Sequence, residues 1–156
     1  MLGLDPGPSM VGVAVYDTTE RRVTSASTSS VAMVLAMLIG PSRLDVDGVA
    51  IERVQSYGIS GGSLLRTSEV VGRLWQAAID GLGIPPALIY RREVLRCLDV
   101  TGKGNRDSLV RARLIEMHGG TRLAACGRKA TPGPLWGVAS HAWSALAVAI
   151  CAAEAS

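Results

Sequence analysis

Residues 1–17 read MLGLDPGPSMVGVAVYD. An apolar run ends on Asp5, meets Pro6-Gly7, and resumes as a second apolar run from Val11. Two short strands separated only by residues 6–10 must be antiparallel neighbours, because so short a connection cannot cross over to a parallel partner. The stretch therefore predicts the start of a meander, with an acid at the carboxyl end of its first strand.

Working outward, RRVTSAS predicts a third strand, with Asp17 to Glu20 as the hairpin turn. SSVAMVLAMLIG predicts a helix capped by Ser29 or Ser30 and stopped by Gly40-Pro41. VDGVAIER predicts the next strand, with Glu52 at its carboxyl end, followed by the Gly/Ser-rich loop VQSYGISGGS. In LLRTSEVVGRLWQAAIDGLG the residues Leu65, Val70, Leu74, Ala77 and Ala78 can share one helical face. ALIY predicts a short strand, RREVLRCL a short helix, and TGKGN a glycine loop before the helix RDSLVRARLIEMHG. GVASHAWSALAVAICAA closes the chain as an apolar helix. Three strands, then helices alternating with strands, predict an α/β fold with a mixed five-stranded sheet flanked by helices. No linker or repeat interrupts the pattern, so one domain is expected over residues 1–156.

Composition bounds the function classes. Hydrophobic residues make up 48% of 156 residues, which excludes a disordered chain. No apolar run reaches the roughly 18 residues of a membrane span, and the start lacks a signal-peptide pattern, so a cytoplasmic protein is expected. Cys97, Cys126 and Cys151 are far apart and form no CxxC pair. They predict reduced, packing thiols rather than a disulfide framework. The net charge is +3, compatible with nucleic acid, and all cationic residues but Lys103 and Lys129 are arginines. Arginine is well suited to phosphate.

Asp5 and Glu52 each end a predicted strand. If those strands are neighbours, the two carboxylates lie side by side, and such a pair needs a proton or a cation between them. His141 starts the last helix, which can direct its imidazole at the same point. Neutral imidazole is a ligand for Mn²⁺ and a general base. His118, at a helix end, is expected to be structural.

Four stretches in order, LGLDPGPSMVGVAVYD, VAIER, TGKGNRDSLVRARL and HAWSALAVAI, resemble the RuvC family of Holliday-junction resolvases, most of all its short phage-type members. The resemblance implies a ribonuclease H-like fold and a nuclease using two Mg²⁺ or Mn²⁺ ions. Asp5 would bridge both ions, Glu52 would bind one, and His141 would bind the other or activate the water. Two cations about 4 Å apart stabilise the attacking and leaving oxygens of an in-line phosphodiester displacement. The family's last motif carries an acid one helical turn after His141, where this chain has Ser144. A hydroxyl is a poorer ligand and brings no charge, so reduced activity is implied. Asp45 and Asp47 lie at the wrong end of their strand to compensate. Glu69 and Asp107 lie on helices whose facing the sequence leaves open.

The implied partners are branched DNA, four-way junctions above all, and a second copy of the chain in a homodimer. Arg53, Lys103, Asn105 and Arg106 are the candidate phosphate contacts, supported by Arg91, Arg92, Arg111, Arg113, Arg122, Arg128 and Lys129. Tyr57 is the candidate for stacking at the junction centre. ACGRKATPGPLWG is expected to be a mobile loop on the active-site side. Trp75 is either core or part of a dimer contact. The alternatives to a junction nuclease are a junction-binding protein weakened at Ser144 and a ribonuclease H-like enzyme acting on RNA.

Overall fold

Strand alternation decides which side chains meet which layer of helices. The computed structural model describes residues 1–41, 44–55, 61–101 and 105–155. Its main sheet contains β1 (Leu2–Pro6), β2 (Met10–Asp17), β3 (Arg22–Ser30), β4 (Val49–Arg53) and β5 (Ala87–Tyr90). Their spatial order is β3-β2-β1-β4-β5. The first three strands pair antiparallel, and β4 pairs parallel with both β1 and β5. This is the expected mixed sheet.

One face carries Leu2, Leu4, Val11, Val13, Val49 and Ile51. These pack against α1 (Val31–Ile39) and α2 (Gly62–Leu82) through Val34, Leu38, Val70, Leu74, Ala77 and Ala78. Ser30 caps α1, its hydroxyl accepting from the Met33 amide at 3.3 Å. Gly83 ends α2 in the left-handed conformation at φ 73°. Leu65 departs from expectation. It is exposed, and Thr67 is buried instead. The Thr67 hydroxyl donates to the Ser63 carbonyl at 2.9 Å, which lets the helix bury it.

The other face carries Gly3, Gly12, Ala14 and Ala50 beneath α6 (Ala142–Glu154). A Cβ at residue 3 would collide with the Ala145 carbonyl, and one at residue 12 with the His141 carbonyl. Only glycine lets the helix lie this close. Around α6 pack α3 (Arg91–Cys97), α4 (Arg106–Met117) and α5 (Arg122–Cys126). Asn105 caps α4, accepting from the amides of Asp107 at 3.0 Å and Ser108 at 3.4 Å. His118 is structural, as expected. It is buried, with Nε2 3.0 Å from the Tyr16 hydroxyl and Nδ1 2.8 Å from the Leu114 carbonyl.

Two expectations are corrected. Cys97 on α3 and Cys151 on α6 are joined as a disulfide, with Cα atoms 5.9 Å apart. The packing of α3 on α6 brings together residues separated by 54 positions, and no local spacing announces it. The segment expected to be a mobile loop is instead anchored. It contains the end of α5 and a ribbon of β6 (Gly127–Arg128) and β7 (Thr131–Pro132). Leu135 is fully buried, and the Pro134 carbonyl accepts from the Val23 amide at 2.7 Å.

Candidate active site

Asp5 and Glu52 come from the carboxyl ends of adjacent parallel strands. β1 pairs with β4 as Leu2–Val49, Gly3–Ala50 and Leu4–Ile51. The next step of that register sets Asp5 beside Glu52. Alternation turns both toward the α6 face, since Leu4 and Ile51 before them belong to the opposite core. Their side chains are largely buried, at 19% and 15% exposure.

Burial is the main cause of their shifted acidity. Desolvation raises Asp5 above the usual carboxylate range, partly offset by the charges of His141 and Arg91. Glu52 is pushed up to about 7, by desolvation first and by the Asp5 carboxylate second. Its Oε2 is buried and, among the described residues, accepts no hydrogen bond; its ion-pair partner there is Arg91 Nη1, at 3.5 Å. Two buried carboxylates side by side are a place for a cation.

His141 occupies the N-cap position of α6, one residue before the helix proper rather than in its first turn. Ser140 before it takes a left-handed conformation at φ 47°. The His141 Nδ1 lies 3.6 Å from Asp5 Oδ2. The approach of α6 over Gly12 makes this possible. The structure thus brings Asp5, Glu52 and His141 to one end of the sheet.

Ser144 lies one turn further along α6 and faces an arginine. Arg91 Nη1 donates to Ser144 Oγ at 3.4 Å and lies 3.5 Å from Glu52 Oε2. Arg91 Nη2 pairs with Asp107 Oδ1. Arg91 was legible only as a cation after a strand, and Asp107 only as an acid on a helix of unknown facing. Both belong to the site, because β5 ends next to β4 and α4 begins opposite α6.

The remaining candidates divide. Arg53 shares a cleft of about 220 Å³ with Asp5, Glu52 and Arg91. Its guanidinium lies 5.2 Å from the Tyr90 ring centre, and that of Arg92 lies 5.0 Å from the same ring. Asn105 Oδ1 is committed to capping α4, and Arg106 begins that helix, exposed. Arg113 braces α4, donating to the Leu98 carbonyl and to Glu116, both at 2.9 Å. Tyr57 and Lys103 lie outside the described residues. Trp75 is partly exposed on α2 rather than core.

Among the described residues no group of three or more His, Cys, Asp or Glu is arranged as a ready metal centre. The donor set fits one divalent cation, because Glu52 and Asp5 offer adjacent, buried hard oxygen ligands. A second cation is opposed by the Arg91 guanidinium and by a serine in place of an acid.

No protein-family profile and no curated protein sequence matches the chain significantly. Solved structures do. Thermus thermophilus RuvC in complex with a Holliday junction substrate matches with TM-score 0.65 at 21% identity, over 97% of this chain and 90% of that one. A Thermus thermophilus RuvC structure matches with TM-score 0.65 at 20% identity, over 97% and 92%. The chain has the RuvC-like, ribonuclease H-like fold.

Proposed function

We propose that this chain is a metal-dependent, structure-selective endonuclease that nicks four-way and other branched DNA by phosphodiester hydrolysis. The observation that carries the reading is the buried Asp5–Glu52 pair at adjacent parallel strand ends, with Glu52 Oε2 accepting no hydrogen bond among the described residues. The matching fold includes a RuvC solved with a Holliday junction substrate, which supports branched DNA as the ligand class.

Asp5 and Glu52 would hold Mg²⁺ or Mn²⁺, with His141 beside them. A divalent ion there supplies charge neutralisation for a phosphodiester and a lowered pKa for water. The protein's own groups do the rest. His141, whose Nδ1 lies 3.6 Å from Asp5 Oδ2, would offer its other ring nitrogen, Nε2, as the base that takes a proton from the attacking water. Arg53 and Arg92, stacked on Tyr90, form a cationic rim beside the carboxylates for the DNA backbone. Arg106, exposed at the start of α4, would add a further phosphate contact; Lys103 and Asn105 are proposed as DNA contacts and Tyr57 for stacking at the junction centre.

The active form is a homodimer of single-domain chains, since paired nicks need two sites. The exposed Leu65 and Trp75 of α2 support an apolar contact. No helix of the described residues is long and apolar enough to cross a membrane. The reading places the protein in bacterial or phage-infected cytoplasm. A second reading, a junction-binding protein with weakened cleavage, is favoured by Ser144 standing against Arg91.

The test is cleavage of a labelled four-way DNA junction with Mg²⁺ or Mn²⁺, against linear duplex and structured RNA. Paired symmetric nicks, lost in Asp5→Asn, are expected. Binding without nicks selects the second reading, and cleavage of RNA alone overturns both.

A further inference from the structure

Arg91 is the unusual member of this site. Its side chain is only 26% exposed, and three other elements converge on it. Glu52 is the next-to-last residue of β4, Asp107 lies in the first turn of α4, Ser144 lies in the first turn of α6, and Arg91 itself begins α3. Its guanidinium meets Glu52 Oε2 at 3.5 Å, Ser144 Oγ at 3.4 Å, and Asp107 Oδ1. It thus stands where a cation would stand between Glu52 and an acid at position 144.

Charge balance points the same way. Asp5, Glu52 and Asp107 bring three negative charges, and Arg91 cancels one. A single divalent cation neutralises the remainder, whereas two would leave an excess positive charge as large. Serine at 144 is consistent with this arrangement. It accepts a hydrogen bond from the guanidinium without adding a charge. A guanidinium is also a competent substitute for a cation, because its planar fork binds phosphate oxygens and it stays protonated at any working pH.

We infer that Arg91 replaces the second metal ion, anchored by Asp107 and Ser144, so that the site takes one divalent cation and one guanidinium. The inference rests on the nuclease reading for its purpose, but its test does not depend on cleavage. Arg91 would contact the substrate phosphate. Asp107 is a positioning residue that fixes the guanidinium.

The measurement is Mn²⁺ stoichiometry on the full chain without DNA, by calorimetric titration and by the electron paramagnetic resonance signal of free Mn²⁺. The unaltered chain is expected to bind one ion. Arg91→Lys keeps the charge and should still bind one. Arg91→Gln removes it and should admit a second. Ser144→Asp alone should remain at one ion, because the new carboxylate pairs with Arg91. Arg91→Gln combined with Ser144→Asp should bind two. Two ions in the unaltered chain, or an unchanged count in Arg91→Gln, overturns the inference. Junction cleavage is assayed on the same preparations. Two bound ions with symmetric nicking overturn the inference and leave the nuclease reading standing. No bound ion and no nicking overturn both.

Discussion

The two faces of the sheet are packed by opposite means. Under α1 and α2, branched side chains such as Leu2, Leu4, Val13 and Ile51 fill the gap between layers. Under α6 the gap is nearly absent, because Gly3 and Gly12 let helix backbone rest on strand backbone. The first face keeps helices at side-chain distance. The second brings His141 within 3.6 Å of Asp5. Close approach without side-chain volume is what assembles the site.

The largest expected effect comes from adding volume to the close face. Gly12→Val sets branched carbon against the carbonyl and Cβ of His141, atoms that cannot move without lifting α6. Overpacking against backbone, added to displacement of a core helix, predicts a loss of at least ~3 kcal/mol or no folded protein. Urea denaturation followed by circular dichroism measures it. A variant with native stability and intact junction nicking breaks the comparison, since α6 would then not need the glycine.

Between the faces in size lies the cost of the acid pair itself. Glu52 has an ordinary value of 4.5 and is raised to about 7 in the folded chain. Between these values the native state binds more protons than the unfolded state, so this group makes stability fall as pH rises. Below about 4.5 it has no effect, and above about 7 its full cost is present. In metal-free protein, Glu52→Gln is expected to stabilise by roughly 1–3 kcal/mol at pH 8, with the gain vanishing near pH 4.5. The same variant should lose nicking. Denaturation in chelator at both pH values is the check, and a gain independent of pH counts against desolvation as its cause.

How much of this was legible in the sequence depends on whether the signal is local. The meander could be read because alternation and the Pro6-Gly7 break are written in consecutive residues. The meeting of Asp5 and Glu52 followed once two parallel strands were adjacent. Arg91 and Asp107 could not be read, because their place depends on where α3 and α4 begin relative to residues far away in the chain. The Cys97–Cys151 link was missed for the same reason, since spacing rules see only short separations. Thr67 displaced Leu65 from the core because helix phase, fixed by Val70 and Leu74, outranks the hydrophobicity of one residue.

The smallest effect reverses the sign of the largest. Gly72 lies inside α2, exposed, with nothing within 4 Å of an added Cβ. Gly72→Ala therefore meets no obstacle and removes the entropic weakness of glycine in a helix, a gain of about 0.5–1 kcal/mol. The comparison sharpens further because Leu65, Ser68, Gly72 and Trp75, spaced by three, four and three residues, share one exposed face of α2. At dilution sufficient to dissociate the proposed homodimer, the full gain is expected. At concentrations where a homodimer forms through this face, the added methyl group meets the second copy and the gain should shrink. Denaturation midpoints across protein concentration, read beside sedimentation, separate the two cases. A gain that persists unchanged into the dimeric range moves the contact off the Leu65–Trp75 face, because a methyl group placed at its centre would then have been felt by no one.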